Sequence, residues 1–427
     1  MTNERLSIAL VGCGGMGRRH LRAYAALRSV GLDHFDVAGV CDLRRDAAGQ
    51  AADLAEELLG SRPTVYVSPD ELLAAPAIQA LDVVTDPAAH HRVVAPALGA
   101  GLHVICEKPL GVTVRACREM VAAAQTSTAL LATAENYRRD PPNRVARRVI
   151  DAGLLGQIYG MVEHNIGGSD AVIITPWRHQ AEAGPIALDM GVHYADIFRY
   201  YLGELDSVYG TAFVAEPLRR LDDANSFPPA EQAAPGYIRA TGPDSIIATF
   251  RAKSGVLIQL AYVPSGPGRQ FVQRSVHGRA GSMTVPRDRT GGPVVVQLGE
   301  RVMSGAELRK ELGGFELSGA TERFFGAEGT EYDRTFSEVD AATIGIELDD
   351  FALAIAEGRS PEVDGQDGLM AVAAVWGVAE SERARRPVQM TEVADGSLAD
   401  AQGDVDVALG FPAAAAQLPG EPRVGGR

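Results

Sequence analysis

Apolar positions in the first third of the chain fall into short runs separated by longer stretches of helical period. The β-rich runs are residues 7–12, 36–41, 65–67, 80–85, 103–106 and 130–134. Between them, 18–27 and 45–59 carry Ala, Leu and Arg at helical spacing. Strands separated by helices of this length predict βαβ units and a parallel sheet covered on both faces. Right-handed crossovers then make a doubly wound α/β sheet the expected architecture. From about residue 157 the texture changes. Residues 158–164, 207–215, 245–251, 256–263, 271–277 and 294–298 read as strands without intervening helices, with Lys253-Ser254-Gly255 as a hairpin turn. An antiparallel, α+β-type second domain follows. Helices are predicted over 141–152, 186–202 and 365–385. The expected divisions are 1–136, 137–392 and a mobile tail over 393–427, where period gives way to Ala, Gly, Asp and Pro. Residues 216–236, rich in Pro and Ala, are expected to form a surface loop.

Composition narrows the class. Among 427 residues, 40 basic against 55 acidic side chains leave a net charge of -15, which repels a polyanionic backbone and argues against nucleic-acid binding. No apolar run reaches the roughly 18 residues of a membrane span, and Met1–Arg5 leads straight into a strand rather than a signal segment. Cys13, Cys41, Cys106 and Cys117 show no C-x-x-C spacing. Reduced thiols in a cytoplasmic protein, with no metal site, are the expectation.

The first candidate chemistry is Gly12-Cys-Gly14-Gly15-Met16-Gly17, a G-x-G-x-x-G between the first strand and the first helix. Gly12 permits a sharp turn, Gly14 lets backbone approach a pyrophosphate, and Gly17 lets helix pack on strand. The phosphates would sit at a helix N-terminus, with Gly15 and Met16 in its first turn. Asp42 ends the second strand about 25 residues beyond Gly17. A carboxylate there binds ribose hydroxyls and repels a 2′-phosphate, which favours NAD over NADP. Arg44 and Arg45 are the residues that would argue for NADP instead.

The strand 103–106 ends in Glu107-Lys108-Pro109. That places a lysine at the carboxyl edge of a parallel sheet, where such folds bind ligands, on a turn that proline stiffens. Together with Thr85-Asp86-Pro87-Ala-Ala-His90, Asn136-Tyr137-Arg138, the 184–196 segment and 347–351 through 364–368, the chain resembles the glucose-fructose oxidoreductase / inositol dehydrogenase / MocA family over most of residues 5–390. It departs in having Asp86 where proline is usual, and Gly184-Pro185-Ile186 where glycines are common. The resemblance implies an N-terminal Rossmann domain and a C-terminal open, largely antiparallel sheet that carries the substrate pocket and builds a homodimer or homotetramer. It also implies that Thr85, His90, Glu107 and Lys108 border the cofactor, along with Asp42 and Arg44.

In the predicted helix 186–202, Asp189, His193, Asp196 and Tyr200 form one stripe at i, i+4, i+7 and i+11. On period alone this stripe fits either the wetted face of an amphipathic helix or the border of a cleft. The resemblance implies the latter, with His193 the proton carrier, Asp189 shaping the site and Lys108 on the substrate oxygen. Histidine can exchange a proton near neutral pH, and an ammonium stabilises developing negative charge on oxygen. Asp189 is expected to orient the imidazole or hold a substrate hydroxyl. Tyr137, His164, Trp177 and Arg178 are expected around the substrate, with His179 beside them.

The resulting expectation is an NAD-dependent oxidoreductase acting on a secondary hydroxyl of a sugar, cyclitol or related polyol. Two alternatives stand beside it. One is a redox-neutral enzyme with tightly bound NAD(P) that cleaves glycosides or exchanges sugars by transient oxidation. The other is a non-catalytic, cofactor-binding regulator.

Overall fold

The computed structural model describes residues 5–221 and 236–413. Six parallel strands form the first sheet: β1 (Leu6–Val11), β2 (Phe35–Cys41), β3 (Thr64–Tyr66), β4 (Ala80–Val83), β5 (His103–Glu107) and β6 (Leu131–Ala134). Their spatial order is β3-β2-β1-β4-β5-β6, so the strand order reverses beside β1. All four residues of β4 are buried, as expected for a strand covered on both faces. On one face the Gly15–Ser29 and Arg45–Leu59 helices pack with a much later one, Phe336–Glu357. On the other lie His90–Gly99 and Val114–Gln125.

The remaining strands are β7 (Ile158–Ile166), β8 (Leu205–Phe213), β9 (Leu218–Arg220), β10 (Tyr237–Arg239), β11 (Ser245–Ala252), β12 (Leu257–Val263), β13 (Phe271–Gly278), β14 (Ser282–Val285), β15 (Val295–Leu298), β16 (Arg301–Met303) and β17 (Val388–Gln389). Nine of them build the second sheet in the order β16-β15-β14-β13-β7-β12-β11-β8-β17. Its pairs are antiparallel apart from β7 with β12, which run parallel in the middle of the sheet. The Ile186–Leu202 helix lies on this sheet against β11, and the Gly365–Ala384 helix packs on both it and β8.

Two expectations are corrected. Residues from 393 onward do not form a mobile tail as far as they are described: Met390–Ala394 and Gly403–Ala408 are helices, and Val393 and Val405 are buried. The segment is tied to the first domain where Asp406 Oδ1 accepts from the Thr113 hydroxyl (2.6 Å) and Gln402 Oε1 from the Val114 amide (2.8 Å). The 216–236 segment is not wholly loop, since β9 pairs with β10 across it; residues 222–235 and 414–427 lie outside the described residues.

Candidate active site

The glycine turn divides its labour among three positions. Gly12 has φ +103°, and a Cβ there would lie 2.8 Å from the backbone of Val84 and Thr85. At Gly17 a Cβ would come within 2.2 Å of the Gly12 carbonyl oxygen. At Gly14 it would meet nothing within 4 Å. So Gly12 and Gly17 are packing glycines, whereas Gly14 leaves open space in front of the backbone. The helix that begins at Gly15 has no side-chain cap and no acidic residue in its first turn. Its orphan N–H groups therefore suit an anion. Asp42 stands beside this turn, accepting from the amides of Cys13 and Arg44, both at 2.9 Å. These residues fit a dinucleotide: a phosphate cradle, then an acidic side chain at the end of the next strand. The Arg44 side chain is largely exposed.

Lys108 follows β5 at the sheet's carboxyl edge. Its ammonium donates to Asp189 at Oδ1 (2.9 Å) and at the carbonyl oxygen (3.1 Å). Arg178 Nε donates to the other carboxylate oxygen, Oδ2, at 3.1 Å. Burial alone would raise the pKa of Asp189, but Lys108 and Arg178 outweigh it and hold the carboxyl far below its usual range. Asp189 thus fixes two cations and does not orient the imidazole. That task falls to Glu135, whose two carboxylate oxygens lie 2.7 and 2.9 Å from His193 Nδ1. The Tyr137 ring stacks on the imidazole at 3.8 Å and 3°. Nε2 makes no hydrogen bond among the described residues. Burial first, then the nearby Lys108 charge, lowers the proton affinity of His193, so the ring is neutral and able to accept a proton.

The helix stripe is not a wetted face. Asp189, His193 and Asp196 are at most 4% exposed, and Arg138 pairs with Asp196 through Nε (2.8 Å) and a second nitrogen. Tyr200 OH accepts from Arg144 at 3.0 Å. Trp177 and Arg178 sit on a short turn, Pro176–His179, with the guanidinium carbon 4.2 Å from the centre of the indole ring system.

Several predicted site residues hold other positions. His90 is completely enclosed: Nδ1 faces the carbonyls of Pro109 (3.2 Å) and Leu110 (3.1 Å), and Nε2 that of Thr85 (3.0 Å). It braces the Thr85 turn against the Lys108 turn and does not line the cofactor site. The Glu107 carboxylate also turns inward, 3.2 Å from His20 Nε2, while His20 Nδ1 meets Asp82 at 2.8 Å. His164 lies on the wrong face of β7. Its neighbours Glu163 and Asn165 point towards the helices, bonding Arg274 and Tyr194, so His164 points away from them and packs on the half-exposed Phe271. His179 is fully buried, accepts from the Ile173 amide at 3.0 Å, and is pulled down to about 4 by burial. Tyr137, only 6% exposed, backs His193 instead of reaching outward. Glu135, one residue before a stretch that the sequence reading used, is the site member it missed.

A parallel sheet in this order, with a phosphate cradle and a lysine–histidine pair at its carboxyl edge, defines a two-domain nicotinamide-dependent oxidoreductase. Residues 6–135 match the model of the oxidoreductase family with an NAD-binding Rossmann fold, and 143–284 match the GFO/IDH/MocA C-terminal domain. The chain belongs to this Gfo/Idh/MocA oxidoreductase family. It is 28% identical over 383 residues to a levoglucosan dehydrogenase of Pseudarthrobacter phenanthrenivorans, covering 86% of this chain and 93% of that one. Identity to a myo-inositol 2-dehydrogenase of Thermotoga maritima is 23% over 391 residues, covering 91% and 99%. A solved levoglucosan dehydrogenase in complex with NADH and L-sorbose shares the fold with a TM-score of 0.73 at 21% identity, covering 91% of this chain and 99% of that one. No helix among the described residues is long and apolar enough to cross a membrane.

Proposed function

We propose that the chain is an NAD-dependent dehydrogenase that oxidises a secondary hydroxyl of a sugar, cyclitol or related polyol. The observation that carries the reading is the convergence of Lys108, held by Asp189, with His193, whose Nε2 is unengaged. Gly12, Gly14, Gly15, Met16 and Gly17 would hold the pyrophosphate, Asp42 the adenosine ribose and the Thr85 turn the nicotinamide side. Asp42 supports NAD over NADP. When bound, the cofactor supplies the hydride acceptor that turns the alcohol carbon into a carbonyl. His193 Nε2 takes the hydroxyl proton as the O–H bond breaks, and the Lys108 ammonium steadies the negative charge that develops on that oxygen. Asp189 and Arg178 fix the direction of the ammonium, and Trp177 supplies a face on which a sugar ring can stack. A cytoplasmic homodimer or homotetramer, built through the second sheet, completes the reading.

The test is absorbance at 340 nm with NAD and then NADP across sugars, sugar acids and cyclitols. A rise with NAD that falls at least about 10²-fold in Lys108→Met, with NADH affinity kept, supports the assignment. Undiminished turnover in that variant overturns the role of Lys108. No turnover together with stoichiometric cofactor in the denatured protein would replace the dehydrogenase by the redox-neutral alternative.

A further inference from the structure

We infer that Glu135 is the positioning carboxylate of the proton carrier, forming with His193 a buried dyad that sets which imidazole nitrogen works as the base. The inference rests on the reading of His193 as that base.

The dyad and its lysine are brought together by the last two strands of the first sheet. β5 ends in Glu107 and delivers Lys108, and its neighbour β6 ends at Ala134 and delivers Glu135. The two side chains thus reach one helix, Ile186–Leu202, from adjacent strand ends, Lys108 at Asp189 and Glu135 one turn further along at His193. Glu135 is 3% exposed. Its Oε1 also accepts from the Tyr137 amide at 3.0 Å, so the carboxylate is fixed by its own turn before it meets the imidazole. Tyr137 then holds the plane of the ring from one side. Three restraints on one imidazole, a carboxylate, an aromatic face and the helix backbone, leave a single orientation and a single tautomer.

A carboxylate can only accept, so Nδ1 must carry the hydrogen and Nε2 must be the free base. When Nε2 gains the substrate proton, the Nδ1–H bond stays in place and Glu135 receives no proton. It acquires instead a full ion pair with the imidazolium. That matters because the charged groups around the ring are mixed. Lys108 and Arg289 oppose a positive charge on the ring, while Asp189 and Glu107 favour it. Asp189 is already committed to two cations and Asp196 to Arg138. Glu135 is the carboxylate left to neutralise the imidazolium at contact distance. Burial lifts the pKa of Glu135 to about 7, so above pH 8 the group is the ionised carboxylate to which Nδ1–H donates.

Two measurements test this. The first needs no substrate: histidine nitrogen NMR of the whole protein above pH 8 should show His193 protonated on Nδ1 and bare on Nε2. The opposite tautomer overturns the inference, even if His193 proves to be the base. The second compares Glu135→Gln and Glu135→Asp in the turnover assay. Glu135→Gln should lower kcat/KM by about 10²- to 10⁴-fold and displace the acid limb of its pH profile. NADH affinity should change less than about twofold, within the small effects expected away from a binding site, and Glu135→Asp should recover part of the rate. A Gln variant with wild-type rate and pH profile overturns the dyad. So does an equal loss in both variants accompanied by lost NADH binding, which would mark Glu135 as merely structural. Should Glu135→Gln fail to fold, Glu135→Asp and the tautomer measurement decide alone.

Discussion

Two glycines three residues apart should respond to the same added methyl group in opposite ways. In Gly17→Ala the new Cβ would stand 2.2 Å from the Gly12 carbonyl oxygen and 3.3 Å from Leu10 Cδ2. Carbon and oxygen do not approach that closely, so the Gly15–Ser29 helix must move outward by about an ångström, at the roughly 1–3 kcal/mol typical of an overpacked contact. For a unit of this size that lowers Tm by about 2–4 °C for each kcal/mol. In Gly14→Ala the methyl meets no atom within 4 Å, and φ of -75° suits alanine without strain. Stability should stay within about 0.5 kcal/mol of the parent. The same methyl, however, occupies the space through which the backbone must approach a pyrophosphate. Losing one hydrogen bond to a charged oxygen costs about 1.5–3 kcal/mol, or roughly 10- to 150-fold in Kd. Calorimetric melting of the free protein and NADH fluorescence titration separate the two effects. The reasoning fails if Gly14→Ala melts early yet keeps its affinity, or if Gly17→Ala melts with the parent.

Asp189→Asn should destabilise the protein at pH 7 by about 3 kcal/mol, because it leaves Lys108 and Arg178 facing an amide at a site where the carboxylate is 2% exposed. Since the folded carboxyl titrates below the unfolded one, the parent holds this stability above about pH 4 and loses it as the pH falls further. Urea unfolding at a series of pH values should therefore show the gap between parent and variant closing on the acid side; a gap independent of pH would contradict the ion-pair account. Trp177→Ala should raise KM for a sugar substrate by roughly 3- to 10-fold, the worth of one stacking contact, with NADH affinity unchanged. An unaltered KM would remove Trp177 from the substrate site.

Local chemistry was legible in the sequence, and long-range pairing was not. The glycine turn, the Glu107-Lys108-Pro109 step and the 186–202 helix announced themselves because each is a contiguous pattern with a steric or periodic reason. The Phe336–Glu357 helix did not, because 13 of its 22 residues are buried and apolar side chains surround it; a helix wrapped on all sides carries no amphipathic stripe to detect. His164 was misassigned because strand periodicity gives alternation but not which parity faces the helices. The register slips near Tyr159, where Gly160 pairs with His277 and Ile158 with Gly278. Glu135 was missed because a lone acid just after the short strand Leu131–Ala134 looks like any loop carboxylate. Its meaning depends on a histidine 58 positions later, brought to it only when the two domains pack. The described part of the expected 393–427 tail, residues up to 413, hid its structure because its helices, of five and six residues, are too short for period to register, and it is held by single side-chain bonds such as Thr113 to Asp406.

The late arrival of the Phe336–Glu357 helix has a consequence for biosynthesis. This helix supplies Val339, Ile344, Leu348 and Phe351 to the same apolar cluster as Leu10, Leu21, Leu27 and Ile105 of the nucleotide domain. The ribosome releases the six strands of that domain first, yet the part of one face not covered by the Gly15–Ser29 and Arg45–Leu59 helices stays open until some two hundred further residues have been translated. Until then the growing chain displays an oily surface, and a fragment ending near residue 136 would keep it for good. The domain that reads as the most self-contained unit in the sequence is thus the one whose folding waits longest, and the order of synthesis runs against the order of dependence.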